Sequence, residues 1–467
     1  MYLRDKYDVV VAGGGTAGAA AAIGAARAGA RTLVVDRYGT LGGAMALGMN
    51  MLGAADGEGY WALGGVGREL VERLREMGGA TAPSLDPQFG SVLAQDPELL
   101  KLCLLDMAVK SGVELLLHTS VMDVVHDRRG LAGLRIFTKR GEEIVPAEIL
   151  VDCTGDADVA AAAGARFTVG RPSDHAAQPA SRIFRVCGVE MDHVWEYLEQ
   201  HPEDLAPPKG WTGGLYDIAH LRNTPGVTME GFGALIKRAI AAGDWTIPRY
   251  RLGIYTFPER GDVGINVTRV HGIDGTDPDD LTRAEVQTSL QMLEVMHFLR
   301  QYVPGFERAR IVSAPYQVGV RETRHVHGGY MLEPEDVMSG RDFEDQIGRG
   351  AYPLDVHDVS PGKGGSVLKP IARSFGIPMR CLLPAGVPRL VIGGRPISAT
   401  HEAAGSIRGQ AVCMVTGHAA GVIAAIAAAE RTDPHDLDVQ RVQRELQSQG
   451  AVLERSERIT APAKSAV

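Results

Sequence analysis

The chain has 467 residues, 45% of them hydrophobic and 22% charged, with a formal net charge of −9. That length can bury a large core and suits two domains, while an acidic balance with no run of Lys and Arg excludes a nucleic-acid surface. Five scattered cysteines (Cys103, Cys153, Cys187, Cys381, Cys413) without a C-x-x-C exclude a disulfide framework and an iron–sulfur site; with a start that runs straight into a strand, they point to a cytoplasmic protein with reduced thiols.

Residues 8–43 read DVVVAGGGTAGAAAAIGAARAGARTLVVDRYGTLGG. The apolar run 8–12 ends in glycines, the pattern of a buried parallel strand. Gly13, Gly15 and Gly18 then form G-x-G-x-x-G. An alanine-rich helix runs to about Ala28, Gly29 closes it, and 31–35 is a second apolar strand ending at Asp36. In such a unit the first glycine permits a tight turn and the second lets backbone N–H groups approach a pyrophosphate. The third lets helix pack on strand. The helix N-terminus offers unpaired N–H groups and partial positive charge to the phosphates. Asp36 stands where a carboxylate accepts hydrogen bonds from a ribose, which favours FAD or NAD over NADP. The further glycine pair Gly42-Gly43 suits a long cofactor running past the second strand, and so points to FAD.

Residues 64–77 and 96–111 read as helices, the second with Asp96 as cap and Pro97 at its first position. Residues 113–121 read as a strand whose backbone passes the adenine at Val121. A hairpin is expected over 131–149, turning at Lys139-Arg140-Gly141. The run ILVDCTGD (149–156) is a second place where backbone meets cofactor, followed by a short alanine helix over 158–163. From about 167 the composition shifts: Trp195, Trp211 and Trp245 fall here, with strands at 249–257 and 263–270 joined by 259–262. A helix over 282–302 places Val286, Leu290, Leu293 and Met296 on its apolar face. The chain returns to the first domain at the strand 389–394, with a helix beginning near Ser406 that continues into the apolar stretch 411–429. That stretch approaches membrane-spanning length, but its Ala/Gly content, with Thr416 and His418, points to a buried helix and no membrane. A last amphipathic helix follows, capped by Asp433, and the final ~12 residues read as frayed. The fold class is therefore α/β: a Rossmann-type FAD-binding domain (1–166 and 376–467) with an inserted α+β substrate domain (167–375). No second G-x-G-x-x-G follows a strand, so no NAD(P) domain is expected.

GGGTAGAAAAIGAARAG (13–29), VDCTGDADVAAAAGA (151–165), VGVRETRHVHGGYMLEPEDVMSG (318–340), YPLDVHD (352–358) and CLLPAGVPRLVIGGRPISATHEAAGSIRGQ (381–410) together resemble the bacterial FAD-dependent oxidoreductases of the FAD-oxidored family, in the glutathione-reductase-type superfamily. The resemblance implies noncovalent FAD, with Gly13, Gly15, Thr16, Ala17, Asp36, Arg37, Gly42, Gly43, Gly155, Asp156, Gly394 and Ser406 near it. Heterodisulfide-reductase relatives carry cysteine motifs that this chain lacks, so that activity is not implied.

A flavin accepts hydride while the protein supplies orientation, a base and electrostatics. Three histidine clusters compete for the base. In RETRHVH (321–327), alternation places Arg321, Thr323, His325 and His327 on one face, either as an anion-binding face or as a salt-bridge ladder. His-x-His also raises a metal, but no partnering cluster appears. His357 lies between Asp355 and Asp358, which would raise its pKa, ahead of a glycine loop at 361–365 that could act as a lid; the alternative is a surface histidine. His401 follows the 389–394 strand and is either close to the flavin or a packing residue. His401 and His357 are taken as bases, Arg321 and Arg324 as substrate or flavin electrostatics, and Cys153 and Cys381 as buried structural thiols. The expected function is a dehydrogenase or oxidase taking hydride from a C–H bond of a small alcohol or amine, with O2 or an external electron acceptor. The alternatives are a reductase of an activated double bond and an electron-relay subunit. A homo-oligomer is compatible with all three.

Overall fold

The N-terminal pattern folds as its glycines require. The computed structural model describes residues 2–207, 217–224, 226–257, 260–360, 362 and 365–459. In it the strand Tyr7–Ala12 leads into the helix Thr16–Arg27 and the strand Thr32–Val35. The strands pair in parallel, Val9 opposite Thr32 and Ala12 opposite Val35. Val9, Val10 and Val11 are all buried, because both faces of a central parallel strand are covered.

Glu114–Leu116 pairs beyond Thr32–Val35, and the long strand Gly141–Asp152 lies on the other side of Tyr7–Ala12. The long strand serves two layers. Its second half pairs in parallel with Tyr7–Ala12 and with Leu390–Ile392. Its first half forms the expected hairpin with Gly130–Thr138, and Ser120–Asp127 completes that antiparallel layer. The single strand expected over 113–121 is therefore two strands. The chain leaves the parallel layer after Leu116 and joins the hairpin layer at Ser120, with His118 at φ 54° in the crossing.

The apolar helix Gln410–Glu430 packs along Thr16–Arg27. Glycine sets the separation: a Cβ on Gly417 would lie 2.1 Å from the Ala17 carbonyl oxygen, and one on Gly421 1.9 Å from that of Ala21. Four-residue spacing puts both glycines on one face, so the two backbones touch. The helix is long and apolar enough to cross a membrane by length and composition, yet 94% of its apolar window is buried within the chain. It is a core helix.

A six-stranded antiparallel sheet runs Leu205–Ala206, Thr228–Gly231, Leu252–Phe257, Asp262–Asn266, Ile183–Cys187, Arg310–Ser313. It carries its own apolar core, which includes Phe184, Trp195, Ile254, Ile265 and Phe298. Trp211 and Glu259 lie outside the described residues. Val326, Leu332, Val337, Ile347, Leu354 and Ile371 pack instead into the larger core under the parallel sheet. The helix Pro278–Tyr302, capped by Asp277, is longer than its expected range and rotated. Ala284, Thr288, Met292, Val295 and Leu299 face inward, whereas Val286, Leu290 and Leu293 are 54%, 60% and 65% exposed. Met292, Val295, Met296 and Leu299 join the core of the sheet, while Ala284 packs with Ala180, Val270, Ile273 and Val318, and the buried Thr288 hydroxyl donates to the Ala284 carbonyl at 2.7 Å. Asp433 caps one 3-10 turn, Pro434–Asp436, and Asp438 caps the last helix, Val439–Ser448. Of the last residues, Ile459 donates to the Gly59 carbonyl and Glu457 pairs with Arg68; 460–467 lie outside the described residues.

Candidate functional site

A cavity of about 830 Å3 is lined from one side by the glycine turn and the parallel strand ends, and from the other by the six-stranded sheet. At the glycine-turn end the backbone is the wall. Gly13 has φ +89°, and a Cβ there would lie 2.5 Å from the Cys153 carbonyl oxygen. A Cβ on Gly18 would lie 1.7 Å from the Gly13 carbonyl oxygen. Gly18 thus packs helix on strand and does not line the cavity. Gly15 differs: its Cβ would meet nothing closer than 3.9 Å, so a side chain there would enter the cavity. Gly43 also lines the cavity at φ +49°, where a Cβ would lie 2.8 Å from the Gly15 Cα. Gly42 stands behind it, its carbonyl accepting from the Thr16 hydroxyl at 3.0 Å.

Asp36 ends its strand with Oδ2 accepting from the Gly14 N–H at 2.6 Å and Oδ1 from the Tyr38 N–H at 2.7 Å. Burial raises its pKa and these two N–H groups pull it back. Each oxygen keeps a lone pair for a ribose hydroxyl. Thr16, Ala17, Arg37, Val121, Gly155, Asp156 and Gly394 line the same cavity. Asp156 accepts from the Thr323 hydroxyl at 3.0 Å and pairs with Arg395. Backbone N–H groups at a helix start, a strand-end carboxylate and spaces that a Cβ would fill fit a dinucleotide such as FAD.

Ser406 is a correction. It is buried and its hydroxyl donates to the Tyr352 carbonyl, away from the cavity. The helix expected near it is two helices, His401–Ile407 and Gln410–Glu430, broken at Arg408-Gly409. A Cβ on Gly409 would lie 2.8 Å from the Tyr352 side chain, so the break is needed for close packing. The helix start that opens on the cavity is that of Gln410–Glu430, through Gln410 and Cys413.

The other end is a chamber of side chains drawn from separate elements. Arg249 precedes Leu252–Phe257, Arg269 follows Asp262–Asn266, Arg321 precedes the strand Arg324–Val326, Arg408 sits in the helix break, and Asp355 and His357 lie on the strand Leu354–His357. Arg408 donates to the Asp355 carboxylate at 2.8 Å, and the Tyr352 hydroxyl donates to it at 3.0 Å. Burial opposes ionisation of Asp355, but His357, Arg408 and Arg321 hold it well below the ordinary carboxylate range. Arg249 pairs with Glu230 at 2.7 Å.

His357 is buried, and Arg269 donates to its Nδ1 at 2.8 Å. A guanidinium only donates, so Nδ1 accepts and Nε2 carries the ring proton, facing Asp355 at 3.4 Å. Burial and then Arg321 push its pKa well below the ordinary value, outweighing Asp355. The expected upward shift from flanking carboxylates is overturned, and the ring is neutral. Of the glycine loop behind it, Pro361, Lys363 and Gly364 lie outside the described residues.

His401 does not line the cavity. It is buried with Nδ1 at 2.7 Å from Glu322 Oε1, and His325 Nε2 reaches the same oxygen at 3.0 Å. Burial opposes ionisation of Glu322, but hydrogen bonds from these two histidines outweigh it and bring its pKa to about 2. Arg324 also stays outside, donating to the Asp156 carbonyl at 2.8 Å and to Asp158 at 2.9 Å. The face expected to unite Arg321, Thr323, His325 and His327 is divided: Arg321 enters the chamber and His325 turns to Glu322. Cys153 and Cys413 line the cavity, with burial raising both thiols; Cys381 is buried elsewhere. Among the described residues no group of three or more His, Cys, Asp and Glu side chains is arranged for a metal ion. Sequence reading missed Arg249, Arg269, Arg408 and Tyr352. The signal available was an arginine inside an apolar strand-like run, as in VTRV (267–270), since arginine is seldom buried without a partner.

Among solved structures, the chain is similar to a geranylgeranyl bacteriochlorophyll reductase-like protein from Thermoplasma acidophilum, at 14% identity over 96% of this chain and 85% of that one, with a TM-score of 0.46. It is also similar to an aromatic hydroxylase from angucycline biosynthesis, at 14% identity over 95% and 69%, TM-score 0.44. A third is p-nitrophenol 4-monooxygenase from Pseudomonas putida, at 12% over 96% and 89%, TM-score 0.41. These likenesses are distant and do not bear on the reaction. The family described as FAD dependent oxidoreductase matches residues 8–446, nearly the whole chain. The chain belongs to the FAD-dependent oxidoreductase family, and is an FAD-dependent enzyme.

Proposed function

We propose that FAD lies noncovalently along the glycine-turn end, with Gly13, Gly15, Thr16 and Ala17 at its pyrophosphate and Asp36 at its ribose. Arg37, Val121, Gly155 and Asp156 flank the adenosine half, and Gly43, Gly394 and Gln410 the half nearer the chamber. The substrate is a small organic molecule of alcohol or amine type seated in the chamber. The bound flavin supplies a hydride acceptor for the substrate C–H bond and a route for the electrons to O2 or an external acceptor. His357 is the one imidazole lining the cavity among the described residues. Its Nδ1 lone pair is free to take the substrate O–H or N–H proton once Arg269 turns from it toward the substrate. The observation that carries this reading is the single cavity joining the glycine turn to the chamber. The test is anaerobic: the yellow protein is mixed with a panel of alcohols, amines, sugars and hydroxy acids, and air is then admitted. Bleaching by one class identifies the donor, and the speed of recolouring in air separates oxidase from dehydrogenase.

A second reading, reduction of an activated double bond, is favoured by Arg321. Its guanidinium lines the cavity and donates to the Pro179 carbonyl, and its remaining N–H groups suit the carboxylate of an unsaturated acid. Reoxidation of pre-reduced enzyme by an unsaturated acid, with no donor bleaching the oxidised form, selects this reading over the first.

A further inference from the structure

Arg249, Arg269, Arg321 and Arg408 share one chamber, and a charge taken from water is costly unless paired. Two of the four are paired, Arg249 with Glu230 and Arg408 with Asp355. Among the described residues the other two have no carboxylate within ion-pair distance. Arg269 is only 2% exposed. It spends two donors on neutral acceptors, the Gly365 carbonyl at 3.2 Å and His357 Nδ1 at 2.8 Å, and its buried Nε has no partner. Arg321 donates Nη1 to the Pro179 carbonyl, leaving Nε and Nη2 without a partner among the described residues on a side chain that lines the cavity. The charges acting most strongly on Arg321 are Arg408, Arg269, Asp355 and Arg249, all in the chamber and none at the glycine turn. The helix start and backbone N–H groups that suit a pyrophosphate lie at the other end. Resting on the reading of this chamber as the substrate site, we propose that the substrate carries an oxoanion, a carboxylate or a phosphate, and that Arg269 and Arg321 hold it. Two planar guanidiniums with unused donors match such an anion bidentately. A neutral substrate leaves both charges without a counter-charge among the described residues.

The test uses the FAD-loaded enzyme and unreactive probes, read through the change in flavin absorbance on titration. Acetate, oxalate and malonate form one arm, inorganic phosphate a second, and the neutral acetamide and malonamide a third, all at constant ionic strength. The expected result is saturable perturbation by an anion arm and none by the amides, with the arm that responds telling carboxylate from phosphate. Arg321→Met and Arg269→Met each weaken that binding by at least about 10-fold; if either fails to fold by circular dichroism, Arg321→Lys and Arg269→Lys, which keep charge but lose the fork, give a smaller loss. The proposal is overturned if amides bind as well as anions, if the arginine variants bind anions unchanged, or if folded variants lose FAD, which would assign the arginines to the cofactor. Its failure is distinct from that of the underlying reading: donors that bleach the flavin while no anion perturbs it sink the proposal alone. Anion binding at an enzyme that no donor reduces and no acceptor reoxidises sinks the assigned reaction alone.

Discussion

The two ends of the cavity are built from different parts of the polypeptide. At the glycine turn the wall is main chain, and the side chains that matter are mostly absent ones, at Gly13, Gly15 and Gly43. In the chamber the wall is side chains, and each arginine is brought by a different element. A main-chain site tolerates no added atom but carries little charge to balance. A side-chain site depends on a charge balance that no single segment contains. The two ends should therefore fail in different ways.

Asp355→Ala should do the greatest damage. It leaves Arg408 unpaired beside three further arginines, and breaking a buried pair costs about 3–5 kcal/mol. Urea unfolding would show the loss, and Arg321→Met in the same chain should recover part of it; no recovery would mean that the chamber is not governed by charge balance. Gly18→Ala should cost about 3 kcal/mol by forcing the helix Thr16–Arg27 off its strand, because the new Cβ would overlap the Gly13 carbonyl oxygen. A variant as stable as the parent would contradict the close packing at that end.

A buried histidine at each end should respond to acid with the same sign. His418 is buried beneath the glycine-turn helix, with Nε2 at 2.9 Å from Gln449 Oε1, and burial lowers its pKa to about 4. His357 in the chamber is lowered too. A folded-state pKa below the unfolded one means that the unfolded chain binds more protons in between. The histidine contribution to stability is thus complete above about pH 6.5 and falls as pH drops toward 4, by about 3 kcal/mol for His418. Unfolding curves of His418→Gln against pH should be flatter over this window, against a background of opposite sign from the buried Asp86 and Asp152, whose carboxyls are raised to about 6. The smallest effect on folding, and the sharpest on the cofactor, belongs to Gly15→Ala. Its methyl meets no protein atom closer than 3.9 Å, so the circular dichroism and melting of the apoprotein should hold while FAD affinity falls at least about 10-fold, or about 1.4 kcal/mol. Gly13→Ala is a poorer probe, since φ +89° and the Cys153 carbonyl make it a folding variant as well.

Legibility followed the same division. The strand, G-x-G-x-x-G, helix and Asp36 are consecutive and are held by local conformation, so position in sequence is close to position in space. The hairpin turning at Gly141 and the helix capped by Asp96 were legible for that reason. Following a strand of the parallel layer, His401 reads as either a flavin neighbour or a packing residue, and the fold decides for the second: its ring turns to Glu322, 79 residues earlier in the chain. Periodicity puts Val286, Leu290, Leu293 and Met296 on one apolar face, of which Met296 alone is buried. The helix is nonetheless set by the sheet's core, which takes Met292, Val295, Met296 and Leu299.

By itself the sequence determined the cofactor class, the parallel βαβ core and the backbone end of the site, because a turn, a helix start and a strand end are local events whose energies come from neighbouring residues. Only the tertiary structure decided which ionisable groups meet. Pairing of Arg408 with Asp355, neutrality of His357 and the two arginines left without carboxylates among the described residues depend on distances across segments far apart in the chain. Burial then makes those encounters strong, because at low dielectric an unanswered charge is costly.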